Sequence, residues 1–222
     1  MDMLTENGTQ DMIPDIEQQI RELAARYAAN LKQKSDERMA EMQRDDISHF
    51  LVYRVLGISN QEGYLIDAHQ NKGRFLYNAA GRFLEQTTKL CFLAKYPDSG
   101  SVRITNTRGL RPGTFEIDCL IGSDAIEIKW RDATTDGDHI TKEHTRISAI
   151  AAAGFTPIRI MFFYPNRLQA IRIQETLATL YAGVGGQYYF GDTAWDYVKE
   201  RTGIPLKTIL EKLANENTEM SG

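Results

Sequence analysis

Apolar residues recur at intervals of three and four from Ile16 through Ile20, Leu23, Tyr27 and Leu31, which draws one stripe along a helix. Pro14, with Asp15 and Glu17 close behind, marks a sound helix start, so residues 1–13, polar and without period, read as a loose tail. The helical segment continues through the charged residues 32–46 to Phe50-Leu51-Val52-Tyr53. It either packs on its own domain or serves as an arm that pairs with a second subunit. Residues 57–63 read as a turn. A second helix is predicted over 71–94, with Phe75, Leu76, Ala79, Ala80, Phe83, Leu84, Leu90, Cys91 and Ala94 as its inner face. After the turn at 97–101 the period falls to two. Strands are predicted over 102–105, 115–121 and 125–130, the last two joined by Gly122-Ser123-Asp124. A helix from Asp138 to about Ala153, closed by Gly154, leads to the apolar strand 158–164. Strand, helix and strand in that order imply a right-handed parallel crossover. Helices follow over 167–181, 192–201 and 206–215, with Gly183-Val184-Gly185-Gly186 as a flexible connection and Tyr188-Tyr189-Phe190 as core or subunit contact.

The expected fold is therefore α/β, a central mixed sheet flanked by helices, with helical segments at both ends. It is expected as one domain: a helical arm over 1–56, a core over 71–165 and a C-terminal helical segment over 166–222. Composition agrees, because 42% hydrophobic and 25% charged residues in 222 suit a globular chain with a real core. No apolar run approaches the roughly 18 residues that a membrane span needs. The first residues lack the basic and apolar regions of a signal peptide. Two cysteines, Cys91 and Cys119, cannot build a disulfide framework or a four-cysteine zinc site. The expected location is the cytoplasm, with no membrane partner.

Net charge is −4, which argues against a polybasic binder but leaves local charge to decide. Between Ala68 and Pro97 five cations, Lys72, Arg74, Arg82, Lys89 and Lys95, accompany one anion, Glu85. Such a helix either lies along an anionic partner or presents a solvated basic face.

The chemistry concentrates in Asp118 and, further on, Glu127-Ile128-Lys129. Alternation on a strand points Glu127 and Lys129 to one face, and the tight turn folds Asp118 back beside them. Two carboxylates that close repel each other unless a divalent cation sits between them. Mg²⁺ suits hard oxygen ligands, with Mn²⁺ as a substitute. The ion polarises a phosphodiester and acidifies a bound water. The Lys129 amine then orients or deprotonates the nucleophile, or neutralises charge. The plain alternative is a surface hairpin with an ordinary ion pair.

This pattern resembles the PD-(D/E)XK nucleases, the superfamily of most type II restriction endonucleases. The resemblance rests on Asp118, Glu127, Ile128 and Lys129 as motif and on residues 102–165 as architecture, with Ile117 where the family pattern has proline. It implies Asp118, Glu127 and Ile128 as metal ligands, catalysis by Asp118, Glu127 and Lys129, and a helix carboxylate before the sheet, for which Glu85 is the candidate. An ion pair between Glu85 and Lys89 is the plain alternative. It also implies cleavage that leaves 5′-phosphate and 3′-hydroxyl ends.

Residues 130–146 mix donors and acceptors as base edges in the major groove require. Candidate DNA contacts are Arg131, Asp132, Asp138, His139, Lys142, His144 and Arg146, joined by Lys72, Arg74, Arg82 and Arg108. The mixture points to sequence-specific cutting, and the chain is similar to ApaLI-like endonucleases. A palindromic duplex matches a two-fold homodimer. His139 and His144 lack the spacing of a helical zinc pair, no phosphate-binding Gly-rich loop implies a nucleotide cofactor, and no Gly-x-Ser-x-Gly elbow is present. Two alternatives stay open: a junction or repair nuclease of the same fold, and a non-catalytic DNA-binding regulator using 192–215 as a loose helix-turn-helix.

Overall fold

The computed structural model describes residues 4–109, 111–131 and 137–219, with side chains over 13–109, 111–131 and 140–217. The chain divides into two compact units, residues 21–83 and residues 1–20 with 84–222.

The first unit is helical. It holds most of α1 (Leu4–Met42), all of α2 (Phe50–Val55) and the start of α3 (Asn60–Lys95). Two boundaries differ from the sequence expectation. α1 begins ten residues before Pro14. Leu4, Glu6, Gln10 and Met12 are good helix formers, and a proline removes one ladder bond without forbidding the turns before it. α3 begins at Asn60 rather than 71, because the Ser59 hydroxyl accepts the Glu62 N–H at 3.2 Å. Gly63, which reads as a turn residue, instead lets α3 meet α2: a Cβ there would lie 2.6 Å from the Tyr53 ring.

The second unit is built on a five-stranded mixed sheet in the order β1 (Gly100–Thr105), β2 (Thr114–Ile121), β3 (Asp124–Arg131), β4 (Thr156–Phe163), β5 (Gln187–Phe190). β1, β2 and β3 are antiparallel neighbours, while β3, β4 and β5 run parallel. The crossover from β3 to β4 is α4 (Gly137–Ala152), as predicted. α5 (Leu168–Gly183), α6 (Asp192–Thr202) and α7 (Leu206–Glu219) complete the unit.

Register sorts the side chains of the parallel strands onto two faces. Ile126 and Ile128 pair with Ile158 and Ile160, and together with Phe162 they make an apolar face. α6 lies on it, with Trp195 against Phe162 at 4.2 Å between ring centroids and Tyr197 stacked on Tyr189 at 4.4 Å. The other face pairs Glu127 with Arg159 and Lys129 with Met161. α4 and α5 cover this second face through hydrogen bonds described below. Covering both faces explains why β3 is buried from Ala125 to Ile128 and β4 from Pro157 to Phe162.

The expected flexible connection at 183–186 is a tight return into β5. Gly186 N–H donates to the Tyr181 carbonyl at 2.8 Å, and a Cβ on Gly186 would lie 2.4 Å from the Pro157 carbonyl oxygen. The glycine is there for close approach between backbones.

Candidate active site

The strands β2 and β3 part where the chemistry begins. Their pairing runs through Ile121↔Asp124, Leu120↔Ala125 and Cys119↔Ile126, and is recorded no further. On the other side of β2, Gly100 pairs with Leu120 and Val102 with Ile117, so Ser101 faces two residues, Asp118 and Cys119. This is a β-bulge, which bends a strand and re-aims a side chain. Asp118 uses the freedom: its Oδ2 accepts the Ile128 N–H at 2.8 Å, a donor on the far side of the gap. The three groups predicted to converge do so. Strict alternation accounts for Glu127 and Lys129, which form an ion pair on one face of β3. Asp118 reaches them through the bulge, a feature that a period-two pattern does not reveal.

Glu127 is 3% exposed, and it is surrounded by cations. Its Oε2 accepts a hydrogen bond from Arg146 of α4, whose guanidinium also donates to the Glu116 carbonyl. Its Oε1 faces the Lys129 ammonium. Burial opposes ionisation of Glu127, but Lys129, Arg146 and Arg159 together outweigh it and hold the carboxyl far below the ordinary carboxylate range. Asp118 goes the other way. Burial, and next the Glu127 charge, push its carboxyl up to about 7, against the smaller opposing effects of Lys129 and the Ile128 N–H, while Glu85 adds to the rise.

Behind this pair lies a second layer. Glu143 of α4 accepts from Arg159 at 2.9 Å and from the Tyr181 hydroxyl of α5 at 2.6 Å, and its other oxygen lies 3.9 Å from Arg146. Glu143 is 4% exposed and Arg159 1%. Sequence reasoning missed Glu143, Arg159 and Tyr181 as parts of the site. The available signals were an arginine in the middle of the apolar run Ile158-Arg159-Ile160 and a glutamate three residues before Arg146 on a helix.

Glu85 pairs with Lys89 at 2.6 Å, the plain alternative for it. Lys89 also donates to Ser101 Oγ at 3.1 Å, and Ser101 donates to the Asp118 carbonyl at 2.9 Å. Glu85 therefore sits one relay away from the backbone of Asp118 and contributes charge to its surroundings.

Among the described residues, no three His, Cys, Asp or Glu side chains are grouped to hold a metal ion. A two-carboxylate site completed by a backbone carbonyl is a different arrangement, and the donors here fit it. Glu127 Oε1 is buried, with the Lys129 ammonium as its contact. Asp118 next to it is held back from ionising by burial and, after that, by the neighbouring negative charge. An ionised carboxylate beside one that burial and its neighbour keep protonated gives hard oxygen donors of the kind Mg²⁺ takes, and Mg²⁺ keeps several waters besides.

The candidate DNA contacts are scattered by the fold. Lys72, Arg74 and Arg82 are exposed on α3 in the helical unit. Arg108 is exposed in the loop between β1 and β2. Arg131 closes β3, its guanidinium 5.5 Å from the Trp130 ring centroid. Lys142 and His144 are exposed on α4. Asp132 and the side chains of Asp138 and His139 lie outside the described residues. Arg146, expected to face DNA, is turned inward instead, because a buried carboxylate and a backbone carbonyl claim its donors. In the loose helix-turn-helix at 192–215, Lys207 pairs with Asp192 at 2.9 Å and Lys212 with Glu17 at 2.7 Å. Both cations of the would-be recognition helix α7 are thus engaged within the protein.

A mixed sheet flanked by helices, with an aspartate and a Glu-x-Lys triplet where two strands part, is the arrangement that the resemblance to PD-(D/E)XK nucleases implies. More narrowly, the chain matches the ApaLI-like restriction endonuclease family over residues 4–215 and belongs to that family. The family supports a type II restriction endonuclease, a DNA-binding hydrolase. No curated protein and no solved structure matches the chain. No helix among the described residues is long and apolar enough to cross a membrane.

Proposed function

We propose that the protein cuts double-stranded DNA at a specific, palindromic sequence in a Mg²⁺-dependent reaction, acting as a homodimer. The observation that carries this reading is the placement of Asp118, Glu127 and Lys129 together at the parting of β2 and β3. Asp118, Glu127 and the Ile128 carbonyl would hold the ion. When bound, it would supply positive charge to the phosphodiester and make a water more acidic.

The protein's own groups do the rest. The Lys129 side chain is 36% exposed, so its ammonium reaches solvent and substrate while the Glu127 charge lies against it. It places positive charge beside the scissile phosphate and orients the attacking water. Water attacks phosphorus in line and the P–O3′ bond breaks. The attacking water gives up one proton to solvent as its bond to phosphorus forms, the departing 3′ oxygen takes one up from solvent to leave as a hydroxyl, and the phosphate stays on the 5′ end. Exposed Lys72, Arg74, Arg82 and Arg108 supply phosphate contacts that position the duplex, and Arg131, Lys142 and His144 read base edges. Two copies related by a two-fold axis meet two equivalent phosphates in a palindrome.

The test is digestion of a plasmid by purified protein with Mg²⁺, followed by sequencing of the fragment ends. Discrete ends at one palindromic sequence, with 5′-phosphates, are expected. A smear, or preferential cutting of branched over linear substrates, would replace this reading with a structure-specific or general nuclease. Tight specific binding without hydrolysis in either Mg²⁺ or Mn²⁺ would indicate a regulator.

A further inference from the structure

The charges around Glu127 fall into two groups with different tasks. Glu127 and Glu143 are buried anions, and the buried Arg159 and half-buried Arg146 are the cations that face them. These four balance one another without Lys129. Arg159 holds Glu143 at 2.9 Å, and the Tyr181 hydroxyl holds the same oxygen at 2.6 Å. Glu143 is thereby fixed with its second oxygen toward Arg146. Arg146 in turn bridges Glu127 Oε2 and the Glu116 carbonyl, which ties α4 to both β3 and β2 at the point where those strands separate.

The two oxygens of Glu127 are consequently unlike. Oε2 is pinned from behind by a guanidinium. Oε1 is buried and faces the Lys129 ammonium, whose side chain reaches solvent. A carboxylate gripped by one oxygen cannot rotate, so the other oxygen is presented in a fixed direction. A planar guanidinium with several donors can hold two acceptors at once, which an ammonium does not do with the same geometry.

We propose that Arg146 is a positioning residue for the reaction: it holds Glu127 by Oε2, so that Oε1, which faces the Lys129 ammonium in the metal-free protein, is presented in a fixed direction to a divalent cation that displaces Lys129 toward the phosphate. Without Arg146 the Lys129 ammonium is the cation left in contact with Glu127, so it competes more strongly with the divalent cation and is withdrawn from the phosphate. This inference rests on the proposed two-carboxylate metal site.

The experiment compares the full-length wild type with Arg146→Lys and with the double variant Glu143→Gln/Arg146→Met. The double variant removes one buried anion together with one buried cation, so folding does not have to tolerate an unpaired charge. The probe is Mn²⁺ alone, titrated without DNA and followed by the loss of free-ion electron paramagnetic resonance signal. Duplex affinity and single-turnover cleavage are measured in parallel on protein shown to be folded by circular dichroism. The double variant is expected to bind Mn²⁺ about tenfold more weakly and to cleave roughly 10–100-fold more slowly, with duplex affinity unchanged. Arg146→Lys should recover part of both losses. Mn²⁺ binding by folded double variant that equals or exceeds the wild type would overturn the proposal, since Arg146 would then be packing or a repelling charge. If the wild type bound no Mn²⁺, or bound it equally well after Asp118→Asn, the metal-site reading itself would fall, and this inference with it.

Discussion

Lys129 shows how much of a residue's chemistry is set by its neighbours. Its charge lies against a carboxylate that Arg146 already satisfies on the other oxygen. Replacing Lys129 by Ala should reduce the single-turnover cleavage rate about 10²–10³-fold, the usual effect of losing one donor to a developing charge, while duplex binding persists. Undiminished cutting would remove Lys129 from the mechanism. Asp118 gives a second prediction, in the metal-free protein. Its folded-state carboxyl titrates near 7, against an ordinary 3.8. Between those values the folded protein holds a proton that the unfolded chain has lost. The contribution of this group to stability is therefore fully present at low pH and declines as pH rises to about 7. Asp118→Asn should remove that component. In chelator-treated protein, melting temperatures at about pH 5 and about pH 8 should differ less in a favourable sense toward acid for the variant than for the wild type. An identical pH dependence in both proteins would show that Asp118 titrates normally.

At the scale of elements, the local patterns carried most of the secondary structure. Alternation in residues 115–121 and 125–130 marked the hairpin, and the apolar run at 158–164 marked the inner parallel strand, each within two residues of the observed bounds. What escaped depended on contacts distant in sequence. The bulge at Asp118 and Cys119 is a property of the pairing with β1, and alternation along β2 alone does not contain it. β5 escaped because three of the four residues before Gln187 are glycine, a composition that signals flexibility until Pro157 is seen pressed against Gly186. Gly186→Ala should accordingly lower stability by about 1–3 kcal/mol through overpacking, read as a fall in urea midpoint at unchanged slope. The inward turn of Arg146 escaped for a similar reason: donor-rich residues near a motif look alike whether they face solvent or a buried carboxylate. The buried pair behind the site makes its own prediction. Arg159→Met leaves Glu143 without its closest cation and should cost roughly 3–5 kcal/mol, while adding Glu143→Gln should restore part of the loss. Strict additivity of the two changes would show that they do not interact.

At the scale of the molecule, the proposed phosphate contacts Lys72, Arg74 and Arg82 belong to one compact unit, and the proposed phosphate contact Arg108 and base contacts Arg131, Lys142 and His144 belong to the other. Alanine at Arg82 or Lys72 should weaken binding to all sequences alike and lower the slope of log affinity against log salt by about one. Alanine at Lys142 or His144 should instead relax discrimination between the cognate site and its single-base variants. Family membership defined the class of activity, and the recognition sequence lies in chemistry that no single chain pattern displays. The central claim is that Asp118 and Glu127 share a cation beside Lys129. Its most direct test is the Mg²⁺-dependent cutting of a plasmid by the wild type and by Asp118→Asn, with duplex binding measured on the same preparations. Discrete fragments from the wild type are predicted, together with a loss on the order of a thousandfold in the variant at retained binding. Comparable cutting by Asp118→Asn would contradict the account.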